Sequence, residues 1–238
     1  MNKKGVKNYL SITYSEDRRP KTDYPNKLAS YLNDKYNLKR YKTLVDFGCG
    51  RGDMLEAFSK IKLDVSGIDN SDEISKLNDK FKTYQISAEN ENINIGNKFD
   101  IIFSKSLIEH LRNPLQFLIN CKKLLNENGL VIILTPSWYH HNFGPFYLDS
   151  THVTPFTIHS LKDIGLYAGF KNVEVDYFYQ LPFVWKYKFL KIIPKTISAL
   201  SIPYFPMYDK LFPKIWPNEV NKIIRFSREV MLISIMKL

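Results

Sequence analysis

Leu44-Val45-Asp46-Phe47-Gly48-Cys49-Gly50-Arg51-Gly52-Asp53-Met54-Leu55 joins a short apolar run to three glycines on alternate positions and then to a helical pattern. Thr43 to Phe47 reads as a buried parallel strand. A helix is expected from about Met54, with Met54, Leu55 and Phe58 as its apolar stripe. Glycine is what a backbone needs when it must turn sharply and let a ligand lie against it. The loop then delivers that ligand to the positive end of the helix. Working outward, Leu63 to Ile68 forms a second strand that ends on Asp69, 19 residues after Gly50. An acid at that tip, roughly 20 residues on, is placed to accept hydrogen bonds from ribose hydroxyls. The competing reading makes Asp69 a helix N-cap for the segment after Ser71.

Two details separate this stretch from a nicotinamide site. The spacing is G-x-G-x-G, and Asp46 sits in the strand just before it. The pattern resembles the first motif of the class I S-adenosylmethionine (SAM) methyltransferases. The resemblance implies SAM as cofactor, Asp46 near its amino group, and Gly48, Cys49, Gly50 and Gly52 along its methionine portion. SAM carries an ammonium and a sulfonium and no pyrophosphate, so carboxylates suit it better than a phosphate cradle. The same resemblance assigns Asp69 and Asn70 to the ribose side and Ala88 and Glu89, at the tip of a third strand over Thr83–Ile86, to adenine. Ser104, at the end of the fourth strand, completes the expected cofactor set.

The fourth strand, Lys98 to Ser104, runs into Lys105-Ser106-Leu107-Ile108-Glu109-His110-Leu111. Catalytic groups in open α/β sheets collect at the carboxyl ends of strands. Glu-His-Leu-x-x-Pro (109–114) resembles small-molecule O-methyltransferases, including ubiquinone-biosynthesis and glycan-modifying ones. The Asn/Asp-Pro-Pro-Tyr/Phe signature of adenine amino methyltransferases is missing at this place. After a helix from Gln116 to Leu125, stopped at Asn126–Gly129, the fifth strand spans Leu130 to Leu134. It leads into a polar-aromatic loop with Trp138, His140, His141, Tyr147 and His152. Asp149-x-Thr151-His152-Val153-x-Pro155-Phe156 resembles a methyltransferase group tied to surface polysaccharide pathways. A hydroxyl acceptor must lose its proton to a base of near-neutral pKa, and histidine is the obvious type. His110 is the favoured base and His152 a positioning group or alternative base, while either could serve a structural hydrogen bond instead. No acid recurs at ligand spacing from these imidazoles, so no metal is expected, although some members of the resembled family with Glu-His after strand four do use one.

The formal net charge is +10, and it is uneven. Residues 1–42 hold eleven Lys/Arg against four acids, residues 181–238 hold ten against three, and the middle is net −4. A nucleic-acid enzyme would more often be basic around its active site, so no nucleic-acid partner is expected. The basic flanks suit an anionic surface or acceptor group, or simply solubility. Cys49 and Cys121 form no ligand or disulfide pattern, and no secretory h-region follows Lys3 and Lys4. A cytoplasmic location is expected, with a possible peripheral membrane association.

Four regions are expected. Residues 1–40 form an N-terminal lid, or alternatively a partly disordered basic arm, and a helix marked by Leu28, Tyr31, Leu32 and Tyr36; in the lid reading Arg19, Lys21 and Tyr24 bind the acceptor together with Trp138 and Tyr147. Residues 41–180 form the core, in which Ile74, Leu77 and Phe81 mark a third helix. Strands six (Asn172–Tyr179) and seven (Glu229–Lys237, antiparallel at the sheet's end) are separated by an insertion over 181–222, with 223–238 as the last strand. Within the insertion, Leu181 to Ile193 reads as one amphipathic helix that Pro194 ends. It could cover the pocket or pack in the core, lie in a membrane interface through 183–216, or form a dimer contact. The fold class is therefore α/β, a Rossmann-like doubly wound seven-stranded mostly parallel sheet. The expected function is SAM-dependent O-methylation of a sugar or lipid-linked glycan by a monomer or homodimer. The alternatives are a quinone or lipid acceptor, or an inactive SAM-binding subunit.

Overall fold

The computed structural model describes residues 20–141, 146–199 and 230–238. Seven strands form one sheet: β1 (Thr43–Phe47), β2 (Asp64–Asp69), β3 (Lys82–Gln85), β4 (Phe99–Lys105), β5 (Leu125–Pro136), β6 (Asn172–Tyr179) and β7 (Val230–Lys237). Their order is β3-β2-β1-β4-β5-β7-β6. The pairs from β3 to β5 are parallel, and β7 runs antiparallel to both β5 and β6. The expected edge position for the last strand is thus corrected: β7 lies inside the sheet and β6 forms the edge. Burial explains why, since seven of the eight β7 residues are buried, whereas β6 exposes several of its positions.

The pleat divides the core between two faces. Leu44, Ile101 and Phe103 pack under α1 (Tyr24–Tyr36) and α2 (Asp53–Lys60). Val45, Phe47 and Ile102 face α3 (Pro114–Leu124) and, near the sheet's other end, α5 (Ile158–Tyr167). Local chemistry marks the helix ends. Asn37 closes α1 in the left-handed conformation at φ 52°, Asn113 caps α3 by accepting from the Gln116 amide, and Thr157 and Ser160 form a capping box on α5. The strand order reverses between β1 and β4, so their carboxyl ends open a crevice where ligands bind in this architecture.

Three local expectations change. The helix marked by Ile74, Leu77 and Phe81 is only a 3₁₀ turn over Asp72–Leu77. The crossover must reach β3 by Lys82, and the Asp72 and Asn78 side chains bond Gln85 and Thr83 of β3 instead of facing solvent from a long helix. The predicted helix stop at Asn126–Gly129 is also absent. Leu125 turns extended (φ −86°, ψ 137°) and pairs with Phe99, so β5 begins there. Gly129 is kept small by crowding, since a Cβ on it would lie 2.6 Å from the Leu125 side chain.

The third change concerns the insertion. The single helix over Leu181–Ile193 is broken into α6 (Pro182–Lys186), a 3₁₀ turn over Lys188–Lys191 and α7 (Ile192–Ala199). Pro194 sits in the first turn of α7, where a missing N–H costs nothing, so it helps start a helix. Trp185 explains the break. Its indole N–H donates to the Tyr179 carbonyl at 2.7 Å, and its ring stacks on Tyr31 and Phe178, with centroids 5.0 and 5.3 Å away. This pins α6 against α1 and the edge strand. Trp185→Ala is expected to lower stability by about 2–4 kcal/mol, read as a shift in denaturant midpoint at unchanged m-value. A change below about 0.5 kcal/mol would mean that the insertion is not anchored there.

Candidate active site

A cavity of about 1130 Å³ opens at the carboxyl ends of β1, β2 and β4. Gly48, Gly50 and Gly52 hold left-handed φ values of 83°, 50° and 81°, which side chains rarely adopt, and they bend the loop back over the sheet. The Gly48 amide donates to the Ile68 carbonyl at 2.7 Å, and Gly52 forms the N-cap of α2. The loop is tied to the next strand by Asp69, whose two carboxylate oxygens accept from the Gly50 amide at 2.9 Å and the Ser71 amide at 2.8 Å. The capping reading of Asp69 is corrected, because Ser71 caps the following 3₁₀ turn by accepting from the Glu73 amide; Asp69 instead ties the loop while each oxygen keeps another lone pair, and the residue lines the cavity.

Asp46, Gly48, Cys49, Gly50, Asp69, Asn70, Ala88 and Glu89 all line this cavity, as do Tyr24 and His110. Gly52 does not reach the wall; it turns the chain, and a Cβ on it would approach the Leu77 side chain to 3.0 Å. Ser104 is corrected from a cofactor contact to an internal tie, because it is buried and its hydroxyl donates to the Phe47 carbonyl at 2.8 Å. Lys21 is exposed and away from the wall, and Arg19 lies outside the described residues. The neighbouring Pro20, Thr22, Tyr24 and Pro25 do border the cavity, and the Tyr24 hydroxyl donates to Gln180 Oε1 at 3.1 Å. Lys105, the last residue of β4, also lines the cavity, with its ammonium 5.8 Å from the centre of the Tyr24 ring. Glu89 accepts from the Asn113 amide, which fixes the carboxylate at the cavity edge.

The electrostatics favour a cationic ligand. Burial, and then the charge of Asp69, push the Asp46 carboxyl up to about 8, while Lys105 opposes the rise. An ammonium beside Asp46 would relieve that penalty. The set fits SAM: turned backbone amides, a large cavity, and the acids Asp46, Asp69 and Glu89 on its wall. Bound there, SAM supplies an activated methyl group on a sulfonium that leaves without proton transfer.

The second cluster arises where two strand-end loops meet. Val153 and Thr154 donate their amides to the Glu109 carbonyl at 2.9 and 3.0 Å, and the Thr154 hydroxyl donates to the Leu111 carbonyl at 2.7 Å. This lays the loop after β5 on the turn after β4. His110 and His152 then meet edge to face, 4.6 Å between ring centres. His152 Nδ1 lies 2.7 Å from the Phe146 carbonyl, which can only accept, so Nδ1 carries the proton and Nε2 is the ring's acceptor. The Thr151 hydroxyl donates to Asp149 and, having one proton, accepts from His110 Nδ1 at 2.8 Å. His110 therefore also presents Nε2 as acceptor. Burial, followed by the charge of His152, lowers its pKa, with Asp149 opposing. Its imidazole is neutral at pH 7, the form a general base requires.

Glu109 joins this pair. It is fully buried, its Oε2 accepts from the Thr135 hydroxyl at 2.9 Å, and its Oε1 has no hydrogen-bond partner among the described residues. Burial pushes its carboxyl up to about 7, against hydrogen bonds to its own backbone and Thr135 and the charge of Lys105. Glu109, His110 and His152 bring their ligand atoms within 4.8 Å of one another, so among the described residues this is the set that could hold a metal ion. Sequence spacing could not show it, because the acid comes from one loop and the second imidazole from another. By contrast, His140 and His141 are buried in the one-turn α4 (Trp138–His141) and bond the Ser137 hydroxyl and carbonyl.

Trp138 and Tyr147 stand outside the cavity wall and flank Phe146, 5.5 and 5.1 Å from its ring, while Phe146 lies 4.7 Å from His152. Lys105, Glu109, Asp149, Thr151 and Gln180 were not singled out from sequence. The first two were legible only as part of the strand-four corner, and Asp149 and Thr151 only as members of the Asp149–Phe156 pattern; Gln180 had no signal separating it from loop residues.

A family model described as a methyltransferase domain matches residues 15–175. The ubiquinone biosynthesis O-methyltransferase of Glaesserella parasuis is 35% identical over 129 residues, covering 47% of this chain and 52% of that protein. The chain thus spans about half the length of the curated relatives it matches. Among solved structures, a SAM-dependent methyltransferase from Archaeoglobus fulgidus aligns at a TM-score of 0.60 and 19% identity, over 97% of this chain and 100% of that one. The plantazolicin methyltransferase BpumL, in complex with a desmethylplantazolicin analogue and S-adenosylhomocysteine, aligns at 0.59 and 16% identity, over 95% and 89%.

Proposed function

The chain belongs to the methyltransferase domain family, whose fold it has and whose cofactor is SAM, and from that premise we propose that it methylates a hydroxyl group. His110 carries this reading: it lines the cavity, its pKa is lowered, and Thr151 and Asp149 orient it with Nε2 as the acceptor. Methyl transfer from a sulfonium needs mainly alignment. A hydroxyl acceptor adds the need for a base, which a purely alkylating site would lack. In the proposed reaction, Asp46, Asp69 and Glu89 hold the cofactor, the acceptor enters beside His110, and His110 Nε2 takes its proton.

The proposed acceptor is a sugar of a lipid-linked or surface glycan. Support comes from the Asp149–Phe156 pattern and from the Trp138–Phe146–Tyr147 cluster beside His152, whose rings suit the apolar face of a sugar. Tyr147 exposes 63% of its surface there. A second reading, a phenolic hydroxyl of a quinone precursor, is favoured by the name of the relative from Glaesserella parasuis. A cytoplasmic location belongs to the same proposal; both cysteines are free and buried.

The test is methyl transfer from labelled SAM to a panel of nucleotide sugars, lipid-linked sugars and catechols. Turnover of a sugar acceptor with no catechol turnover is the expected result. Catechol turnover alone would install the quinone reading. Tight S-adenosylhomocysteine binding without transfer to either class would favour an inactive SAM-binding subunit.

A further inference from the structure

Four exposed large hydrophobic residues fall within 187–193 of the insertion. Tyr187, Phe189, Ile192 and Ile193 expose 46, 75, 68 and 43% of their surface. Lys186, Lys188, Lys191 and Lys195 are exposed among them, and residues 182–199 contain no acid. The opposite side of the same segment is fixed: Val184 is buried, and Trp185 stacks on Tyr31 and Phe178. The apolar side chains are therefore held outward by a packed base. Asp34 and Asp176 do line a cleft of about 440 Å³ with Lys188 and Lys191, but Lys35 lines it too, so the balance there stays positive.

We propose that this ridge seats the protein on a lipid bilayer bearing anionic headgroups. Phe189 and Ile192 enter the boundary between headgroups and acyl chains, and the lysines lie along the lipid phosphates with their stems on the apolar surface. The arrangement is peripheral: no helix among the described residues is long and apolar enough to cross a membrane. Charge selects this occupant over a second copy of the chain, because two such ridges would oppose four lysines to four. The ridge also connects to the active site. Trp185 contacts Tyr24, with ring centres 5.7 Å apart, and Tyr24 lines the cavity. A protein seated through α6 and α7 thus keeps the cavity wall coupled to the leaflet-facing segment. The proposal holds whichever hydroxyl acceptor is used.

The experiment is co-sedimentation of the full chain with phosphatidylcholine vesicles made with and without phosphatidylglycerol. Binding is expected only to the anionic vesicles, and it should weaken as salt rises. Phe189→Asp combined with Ile192→Asp should lower binding by more than about tenfold, and each of Lys188→Ser and Lys191→Ser by about fivefold. S-adenosylhomocysteine binding should stay at the wild-type level in every variant, which reports an intact fold. Three results would overturn the proposal. One is no vesicle binding at low salt, and another is binding that the double aspartate variant leaves unchanged. The third is a lipid-free dimer that Phe189→Asp dissolves, which would make the ridge a subunit contact.

Discussion

His110→Ala is expected to lower kcat by about 10²–10³-fold while S-adenosylhomocysteine still binds with near wild-type affinity. The reason is that His110 borders the cavity without forming part of the glycine loop or of the acids proposed to hold the cofactor. Its imidazole is held by the Thr151 hydroxyl, which is itself held by Asp149, so the base is aligned before the acceptor arrives. The pH dependence has a definite sign. Because burial and His152 lower its pKa, the acid limb of the kcat profile should fall below the ordinary imidazole range, near 6.5. Asp149 opposes that lowering, so Asp149→Asn should move the limb to still lower pH and reduce the plateau by about tenfold. A purely structural role for Asp149 would reduce the plateau without moving the limb. If His110→Ala keeps a near-normal kcat, the base assignment is lost, and His152 becomes the group to test.

Asp46→Asn should show opposite effects on binding and on stability. The carboxyl is 3% exposed and is pushed up to about 8 by burial and by Asp69. In the unfolded chain it ionises near the ordinary value of 3.8. Between those values the folded state holds a proton that the unfolded state has lost. Stability from this group is therefore complete below about pH 4 and is lost as pH rises towards 8. Asparagine removes that loss, so the variant should be more stable than wild type by up to about 5 kcal/mol at pH 8 and nearly equal to it at pH 4. Glu109 titrates in part of the same window, but it is common to both proteins, and the difference cancels it.

Binding should move the other way. With the cofactor's amino group held by the Asp46 carboxylate as proposed, wild-type affinity for S-adenosylhomocysteine should rise from pH 6 to pH 8 with release of a proton. The asparagine variant should bind about 10–100-fold more weakly, with a flatter profile. Thermal unfolding at the two pH values, and calorimetry in two buffers of different ionisation enthalpy, measure both effects. Unchanged affinity in Asp46→Asn would remove the residue from the binding site and leave only its effect on stability.

Much of the cofactor side was legible because it is local. Gly48, Gly50 and Gly52 act within five residues, and Asp69 follows at a spacing that one βαβ unit imposes. The acceptor side was half legible. His110 and His152 could be named as imidazoles, yet nothing in their 42-residue separation shows that the Val153 and Thr154 amides fasten one loop to the other. Ser104 was misread for a related reason. Its place at a strand end suits a ligand contact, but its hydroxyl is turned inward to the Phe47 carbonyl by the register of β4 on β1.

The amino-acid sequence by itself determined the strand–glycine loop–helix unit, the parallel core and the acids that line the cavity at its strand tips. Each depends on side-chain periodicity or backbone freedom over a few residues, which the chain carries wherever it folds. The tertiary structure alone decided three things: that β7 inserts between β5 and β6, that Glu109 joins His110 and His152 in one cluster, and that Trp185 breaks the insertion into short turns with an outward apolar ridge. All three depend on which buried surfaces meet. Such contacts between distant segments are selected by the packing of the whole core, and no short stretch of sequence encodes them.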